Sequence, residues 1–145
     1  MMIRKATIAD AAAAARLAVQ MWDSHAQEEL AAEFAELLTR EDAAMFLSMD
    51  GETAVGFAQC QLRRDYVEGT ESSPVGYLEG IFVDKAYRKA GCARKLLEVC
   101  QNWAKEQGCR EFASDCELTN EQSLQFHLSC GFTESNRIIC FTKKL

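Results

Sequence analysis

The stretch of this chain whose residue types and spacing could do chemistry is Arg88-x-x-Gly91-x-Ala93. It lies between an apolar run, Tyr77-Leu78-Glu79-Gly80-Ile81-Phe82-Val83, and an amphipathic one that begins Ala93-Arg94-Lys95-Leu96-Leu97. The pattern reads as a strand entering a short basic loop that opens directly onto a helix. The first N–H groups of a helix have no partner within it and sit at the positive end of its dipole, so such a start can hold an anion. Gly91 lets backbone come close to that anion, Ala93 keeps the approach clear, and Arg88, Lys89 and Arg94 add positive charge. The spacing fits neither the nucleoside-triphosphate loop G-x-x-x-x-G-K-[ST] nor the dinucleotide fingerprint G-x-G-x-x-G.

The thiols offer less. Seven cysteines (Cys60, Cys92, Cys100, Cys109, Cys116, Cys130, Cys140) form no C-x-x-C pair, and two histidines supply no zinc-ligand spacing, so no metal is expected. An odd number of scattered thiols fits a reducing compartment, with each cysteine read as a small buried hydrophobe. Cys92 stands in the first turn of the expected helix, where a thiol can have a lowered pKa, but no basic partner pattern accompanies it and a nucleophilic role is not assigned.

At 145 residues, 48% apolar and 26% charged, the chain is expected to be a single domain spanning residues 1–145 with a genuine core. The formal charge of −6, with no basic stripe joined to aromatic platforms, argues against a nucleic-acid partner and favours a cationic ligand. No apolar run reaches the length of a membrane span, and Met1-Met2-Ile3-Arg4-Lys5 leads into an alanine run without a cleavage pattern. A cytoplasmic protein with no membrane contact is expected.

The elements that must position the anion loop follow from periodicity. A strand is predicted over Ile3 to Ala6, a helix over Ala11 to Trp22 after the helix-start residues Thr7 and Asp10, and a second helix over Gln27 to Thr39, where Leu30, Phe34, Leu37 and Leu38 recur. Asp50-Gly51 favours a tight hairpin between strands at Met45 to Met49 and Thr53 to Arg63. Arg64 to Val75, with Gly69 and the only proline, Pro74, reads as a loop carrying Tyr66 and Glu68. The helix after Arg88 is predicted to end at Gly108. A strand over Glu111 to Cys116 puts Phe112 and Ser114 on one face and Ala113 and Asp115 on the other. A helix over Glu121 to Ser129, closed by Gly131, and a last strand over Ile138 to Thr142 complete the chain. The order implies an α/β fold of the α+β kind: a mixed sheet, antiparallel at first and ending in a parallel crossover, with flanking helices.

R-x-x-G-x-A after an apolar strand, followed by Asn120-x-x-Ser123 and His127-x-x-x-Gly131-Phe132, resembles the acetyl-coenzyme A signature of the GNAT superfamily of N-acetyltransferases. Within it, Pro74 to Ile81, Glu111-Phe112-Ala113-Ser114-Asp115 and Phe141-x-Lys143-Lys144 are similar to bacterial aminoglycoside 6'-N-acetyltransferases, and Trp22, His25 and the loop from Tyr66 to Glu71 extend the similarity towards the N-terminus. The resemblance implies a twisted mixed sheet that splays after its central strand, with acetyl-CoA as cosubstrate in the opening. It implies that the backbone of Ile81, Phe82 and Val83 binds pantetheine and the thioester carbonyl. Arg88, Lys89, Ala90, Gly91, Cys92, Ala93 and Arg94 would hold the pyrophosphate, and Asn120 would contact the cosubstrate. It further implies an aminoglycoside acceptor, Asp115 and Glu79 as the acids that take up its proton, with either in either role, and Trp22, His25, Tyr66 and Asn136 shaping the acceptor site. Many superfamily members carry a thiolate-protonating tyrosine where this chain has His127, so the resemblance offers His127 as a catalytic residue for the same job, with a packed or hydrogen-bonded structural histidine as the alternative. Asn136 stands where some related enzymes have an acid. A homodimer is expected on the same ground. Two other readings keep the residues: a GNAT enzyme acting on a peptide, lysine or polyamine amine, and a non-catalytic acyl-CoA-binding regulator.

Overall fold

The computed structural model describes residues 1–145, and a hairpin turn organises its first half. Gly51 takes φ +61°, the left-handed value required at the first central position of a two-residue turn, and Asp50 pairs with Thr53 across it. The central residues are therefore Gly51-Glu52, one position beyond the Asp50-Gly51 dipeptide that marks the turn in sequence. The turn joins β2 (Ala43–Asp50) to β3 (Thr53–Arg63). On the outer side of β2 lies β1 (Met2–Lys5), and on the outer side of β3 lies β4 (Val75–Val83), both antiparallel to their neighbours. A three-residue strand, β5 (Phe112–Ser114), pairs parallel with β4, which completes a five-stranded mixed sheet in the order β1-β2-β3-β4-β5.

Helices cover both faces, as a sheet buried on two sides requires. Against one face pack α1 (Ala11–Ala18) and α2 (Gln27–Leu37), whose Leu17, Leu30 and Phe34 meet Met45, Leu47 and Phe57. Against the other lies α3 (Cys92–Glu106), which places Leu96, Leu97, Cys100 and Trp103 on Ala58, Cys60 and Leu78. Phe126 of α4 (Glu121–Ser129) joins that second cluster at its margin. Phe57 is fully buried at the centre of the first cluster, and its truncation to Ala is expected to cost about 3–5 kcal/mol.

Two local stops behave as their chemistry dictates. Gly108, at φ +91°, lets Cys109 N–H turn back to Ala104 O and closes α3. Asp10 accepts from Thr7 N–H at 2.7 Å and from both guanidinium nitrogens of Arg4 at 2.8 Å, which anchors the turn leading into α1 to the end of β1. Helix α1 ends at Ala18 rather than running to Trp22, whose N–H still bonds back to Ala18 O at 2.8 Å and whose ring packs on the sheet at Phe57 and Gly80.

One feature of β4 is decisive for the site. In its register with β3, Gln59 faces Gly80 and Cys60 faces Leu78, which leaves Glu79 as the extra residue of a bulge. Side-chain alternation shifts phase there: Leu78 packs with Ile81 and Val83 on the α3 face, while Phe82 turns to the α1 face.

The last predicted strand is not formed. Residues 138–142 join no ladder, and Ile138, Ile139 and Phe141 are 68%, 81% and 87% exposed. Strand propensity marks this segment, but a strand also needs a pairing partner, and this one is laddered to neither open edge of the sheet, β1 or β5.

Candidate active site

Four side chains from three elements meet on the α1 face of the sheet. Arg63, the last residue of β3, grips Glu79 with two hydrogen bonds, Nε to Oε2 at 3.0 Å and a terminal nitrogen to Oε1 at 2.7 Å. Its guanidinium carbon lies 3.5 Å from the centre of the Tyr77 ring. Tyr77 O–H in turn donates to Asp115 Oδ2, just beyond β5. Burial, reinforced by that carboxylate, pushes the Tyr77 phenol well above its ordinary value, so it remains a donor. Glu79 holds the Arg63 guanidinium above its usual value by hydrogen bonding. The strand alternation read from sequence for Ala113 and Asp115 is realised: Ala113 packs beside Tyr77, and Asp115 meets the Tyr77 hydroxyl.

Glu79 also lines a cavity of about 290 Å³ with Trp22, His25, Glu33, Phe34 and Gln59. Trp22 stands against Phe34 and Phe57, with ring centres 6.3 and 6.2 Å away. It can come this close to β4 only because residue 80 is glycine, since a Cβ there would lie 2.7 Å from two Trp22 ring carbons. His25 is exposed at the rim.

Beside this acidic side the sheet opens. The β4–β5 ladder has three pairs and ends at Leu78 with Ser114, so from Glu79 to Val83 strand β4 is paired on its β3 side alone. The gap leads to the basic loop. Lys89 (φ +65°) and Gly91 (φ +80°) are both left-handed, and Gly91 is the N-cap of α3 with no side-chain acceptor over the first-turn N–H groups. No atom lies within 4 Å of where a Gly91 Cβ would stand, so glycine is needed here for its φ rather than for a close approach within the chain. Unsatisfied N–H groups at a positive helix end, next to an open strand edge, suit a long ligand that ends in phosphate. No group of three or more His, Cys, Asp or Glu is arranged to hold a metal ion.

The acetyltransferase (GNAT) family profile matches residues 11–132. The chain belongs to the GNAT family. It is 44% identical over 145 residues to aminoglycoside N(6')-acetyltransferase type 1 of Stenotrophomonas maltophilia, covering 99% of this chain and 93% of that protein. It is 40% identical over 125 residues to the enzyme of the same name from Salmonella typhimurium, covering 86% of each. Among solved structures, aminoglycoside N-acetyltransferase AAC(6')-Iy in complex with CoA superposes with a TM-score of 0.95 at 37% identity, covering 99% of this chain and 95% of that one. The same enzyme in complex with a bisubstrate analogue, CoA-S-monomethyl-acetylneamine, gives 0.94 at 37% identity, with 99% and 98% covered. The splayed mixed sheet with flanking helices is thus the GNAT fold.

Several predicted residues of this GNAT chain have partners that narrow what they can do. Arg88 Nε donates to Val83 O at 2.8 Å and its guanidinium faces the Phe82 ring, so it braces the end of β4. Arg94 reaches Ser129 O at 2.9 Å. The Cys92 thiol is buried on Ser48 Oγ at 3.0 Å, which leaves only its backbone to face a ligand. Asn120 caps α4, its Oδ1 accepting from Ser123 N–H at 3.0 Å, so its side-chain NH2 is what remains free. His127 has both ring nitrogens engaged, Nδ1 with Ser123 O at 2.7 Å and Nε2 with Ser114 Oγ at 2.8 Å, and its ring lies 5.1 Å from Phe132. Because a carbonyl only accepts, Nδ1 carries a proton.

Tyr66 is 76% exposed on the loop after β3. Glu111 holds that loop by accepting from Glu71 N–H at 2.8 Å and from the Ser72 hydroxyl, and the Ser72 bond in particular lowers the Glu111 carboxyl below its usual range. Asn136 joins the loop too, donating to Glu68 at 3.0 Å.

Of the thiols, Cys60, Cys92 and Cys100 are buried as expected, whereas Cys116 and Cys140 are exposed, because they fall outside the regular elements that pack on the sheet. The residues that sequence reasoning missed are Arg63, Glu33, Gln59, Ser114 and Tyr77 as a site residue. Only Tyr77 left a signal: it stands two positions before Glu79 on one strand.

Proposed function

We propose that this chain, acting as one acetyltransferase domain over residues 1–145, transfers the acetyl group of acetyl-CoA to the 6'-amino group of an aminoglycoside and thereby confers resistance to it. The observation that carries this reading is the opening of the sheet past Leu78, which lies between a phosphate-suited loop and helix start on one side and the Glu79–Asp115 acids on the other. The relatives named above are aminoglycoside 6'-acetyltransferases over nearly the full length of the chain. An aminoglycoside is a polycation, and it suits both the acidic cavity and the net charge of −6.

The backbone of Ile81, Phe82 and Val83, on the edge of β4 that faces away from β3, would hydrogen-bond the pantetheine arm and polarise the thioester carbonyl as an oxyanion site does, with the Val83 carbonyl already taken by Arg88. The backbone from Lys89 to Arg94 would take the pyrophosphate, with the Asn120 NH2 group beside it. Trp22, His25 and Tyr66 would border the acceptor, with Asn136 supporting the Tyr66 loop. The drug's ammonium gives one proton to Asp115 or to a water it orders, and Glu79 sits beside it. The neutral amine then attacks the thioester carbon, the C–S bond breaks, and the second proton leaving nitrogen ends on the thiolate sulfur. His127, with both nitrogens engaged, serves by fixing Ser114 and holding α4 on β5.

Incubation with acetyl-CoA and kanamycin or tobramycin, read by release of free thiol, tests the reaction. No thiol above background ends this reading, and faster release with spermidine or a peptide than with any aminoglycoside transfers it to another amine. The protein is further proposed to act in the cytoplasm, consistent with seven free thiols and with no helix long and apolar enough to cross a membrane. It is proposed to be a homodimer, which is supported by the exposed Ile138, Ile139 and Phe141 that a second copy would cover. Sedimentation should give twice the chain mass, falling to one chain when residues 137–145 are removed.

A further inference from the structure

We propose that Tyr77 and Arg63 are the positioning residues of the acceptor site, Tyr77 aiming Asp115 and Arg63 clamping Glu79, so that Asp115 is the carboxylate left to meet the reacting amine. The inference rests on the reading that Glu79 and Asp115 face the aminoglycoside, and it decides between them. The first ground is the choice of tyrosine. Residue 77 is only 6% exposed and packs with Val67, Val75 and Ala113, a setting that phenylalanine would fill equally well. A buried phenol is costly unless its hydroxyl is paired, and here it is paired with one oxygen of Asp115.

The second ground is charge. Arg63 holds both oxygens of Glu79 in a two-pronged geometry, whereas Asp115 has a neutral donor on Oδ2 and no cationic partner. One positive and two negative groups leave the cluster with a single net negative charge, which falls on Asp115. Within the Glu79–Asp115 pair, one carboxylate is therefore neutralised and the other is not. The third ground is connection. The Arg63 guanidinium stacks on the Tyr77 ring, so the clamp on Glu79 and the hydrogen bond to Asp115 share one support, and the Glu79 bulge turns that carboxylate towards Arg63.

Tyr77→Phe keeps the packing and removes only the hydroxyl. It is expected to lower kcat with an aminoglycoside about tenfold while leaving the KM for acetyl-CoA unchanged, the effect of losing one hydrogen bond to a charged group. In an Asp115→Asn background the same substitution should cause no further loss, because its effect passes through Asp115. Arg63→Met should raise the KM for the aminoglycoside several-fold, and Arg63→Lys should restore part of that loss. Arg63 is partly exposed, so these variants remain informative if Tyr77→Phe folds poorly. If Asp115→Asn is as active as the parent enzyme, the assignment of the acceptor site itself falls. If Asp115→Asn is impaired but Tyr77→Phe is not, or if their losses simply add, the site stands and the positioning proposal is overturned.

Discussion

The two sides of the cleft are built from different materials. The side assigned to the cosubstrate is mostly backbone: an unpaired strand edge from Glu79 to Val83, two left-handed residues in the loop, and the bare first turn of α3. Its charged side chains are largely engaged elsewhere, Arg88 on Val83 O and Arg94 on Ser129 O. The acceptor side is made of side chains that hold one another, Arg63 with Glu79 and Tyr77 with Asp115, under the Trp22 ring. A backbone-built site tolerates side-chain replacement and fails when φ is wrong. A side-chain network fails at single atoms.

Asp115→Asn should test that contrast most strongly. It is expected to reduce kcat/KM for an aminoglycoside by about a hundredfold or more, while binding of CoA by calorimetry stays as it was. A matching loss of CoA affinity would mean that the two sides are not separable. The complementary break is Gly91→Ala, which forces a Cβ onto a residue at φ +80°. That strain costs about 1–2 kcal/mol, and the KM for acetyl-CoA should rise about tenfold with aminoglycoside binding unaffected.

Gly80→Ala separates the sides within one strand. Its Cβ would meet Trp22 at 2.7 Å, so the ring must move. Overpacking of this kind costs about 1–3 kcal/mol, visible as a lower Tm, and the KM for the aminoglycoside should rise several-fold while that for acetyl-CoA does not. The smallest effect is expected far from both sides, at Asp10, whose carboxyl is lowered to about 2, chiefly by hydrogen bonds from Arg4. Its folded-state pKa lies below its unfolded value, so its stabilisation is complete above roughly pH 4 and fades as the pH falls towards 2. Asp10→Asn should lower stability at neutral pH by about 1 kcal/mol, remove that acid dependence in denaturation curves, and leave every kinetic constant alone.

Much of the cosubstrate side was legible in the residues because its signals are local. Gly91 before an amphipathic run, Gly108 after it and Gly51 between two apolar runs each mark a backbone conformation within a few positions of itself. The acceptor side was legible only in part. Period-two alternation separated Asp115 from Ser114, and resemblance drew attention to Glu79, but nothing near Arg63 announces that it clamps a residue 16 positions away. Propensity also misled at Ile138 to Thr142, where a strand-forming composition joins no ladder although β1 and β5 leave open edges.

The sequence by itself determined the strand, basic loop and helix start, the hairpin and the mixed sheet, with Glu79 on one strand and Asp115 just past the end of its neighbour, since turn chemistry and periodicity act over short spans. The tertiary structure alone decided the bulge that re-aims Glu79, the glycine contact that seats Trp22, and the hydrogen bond from Tyr77 to Asp115 across 38 residues of chain. Those depend on how strands slide past one another and on what lies above them, which residue order alone does not state.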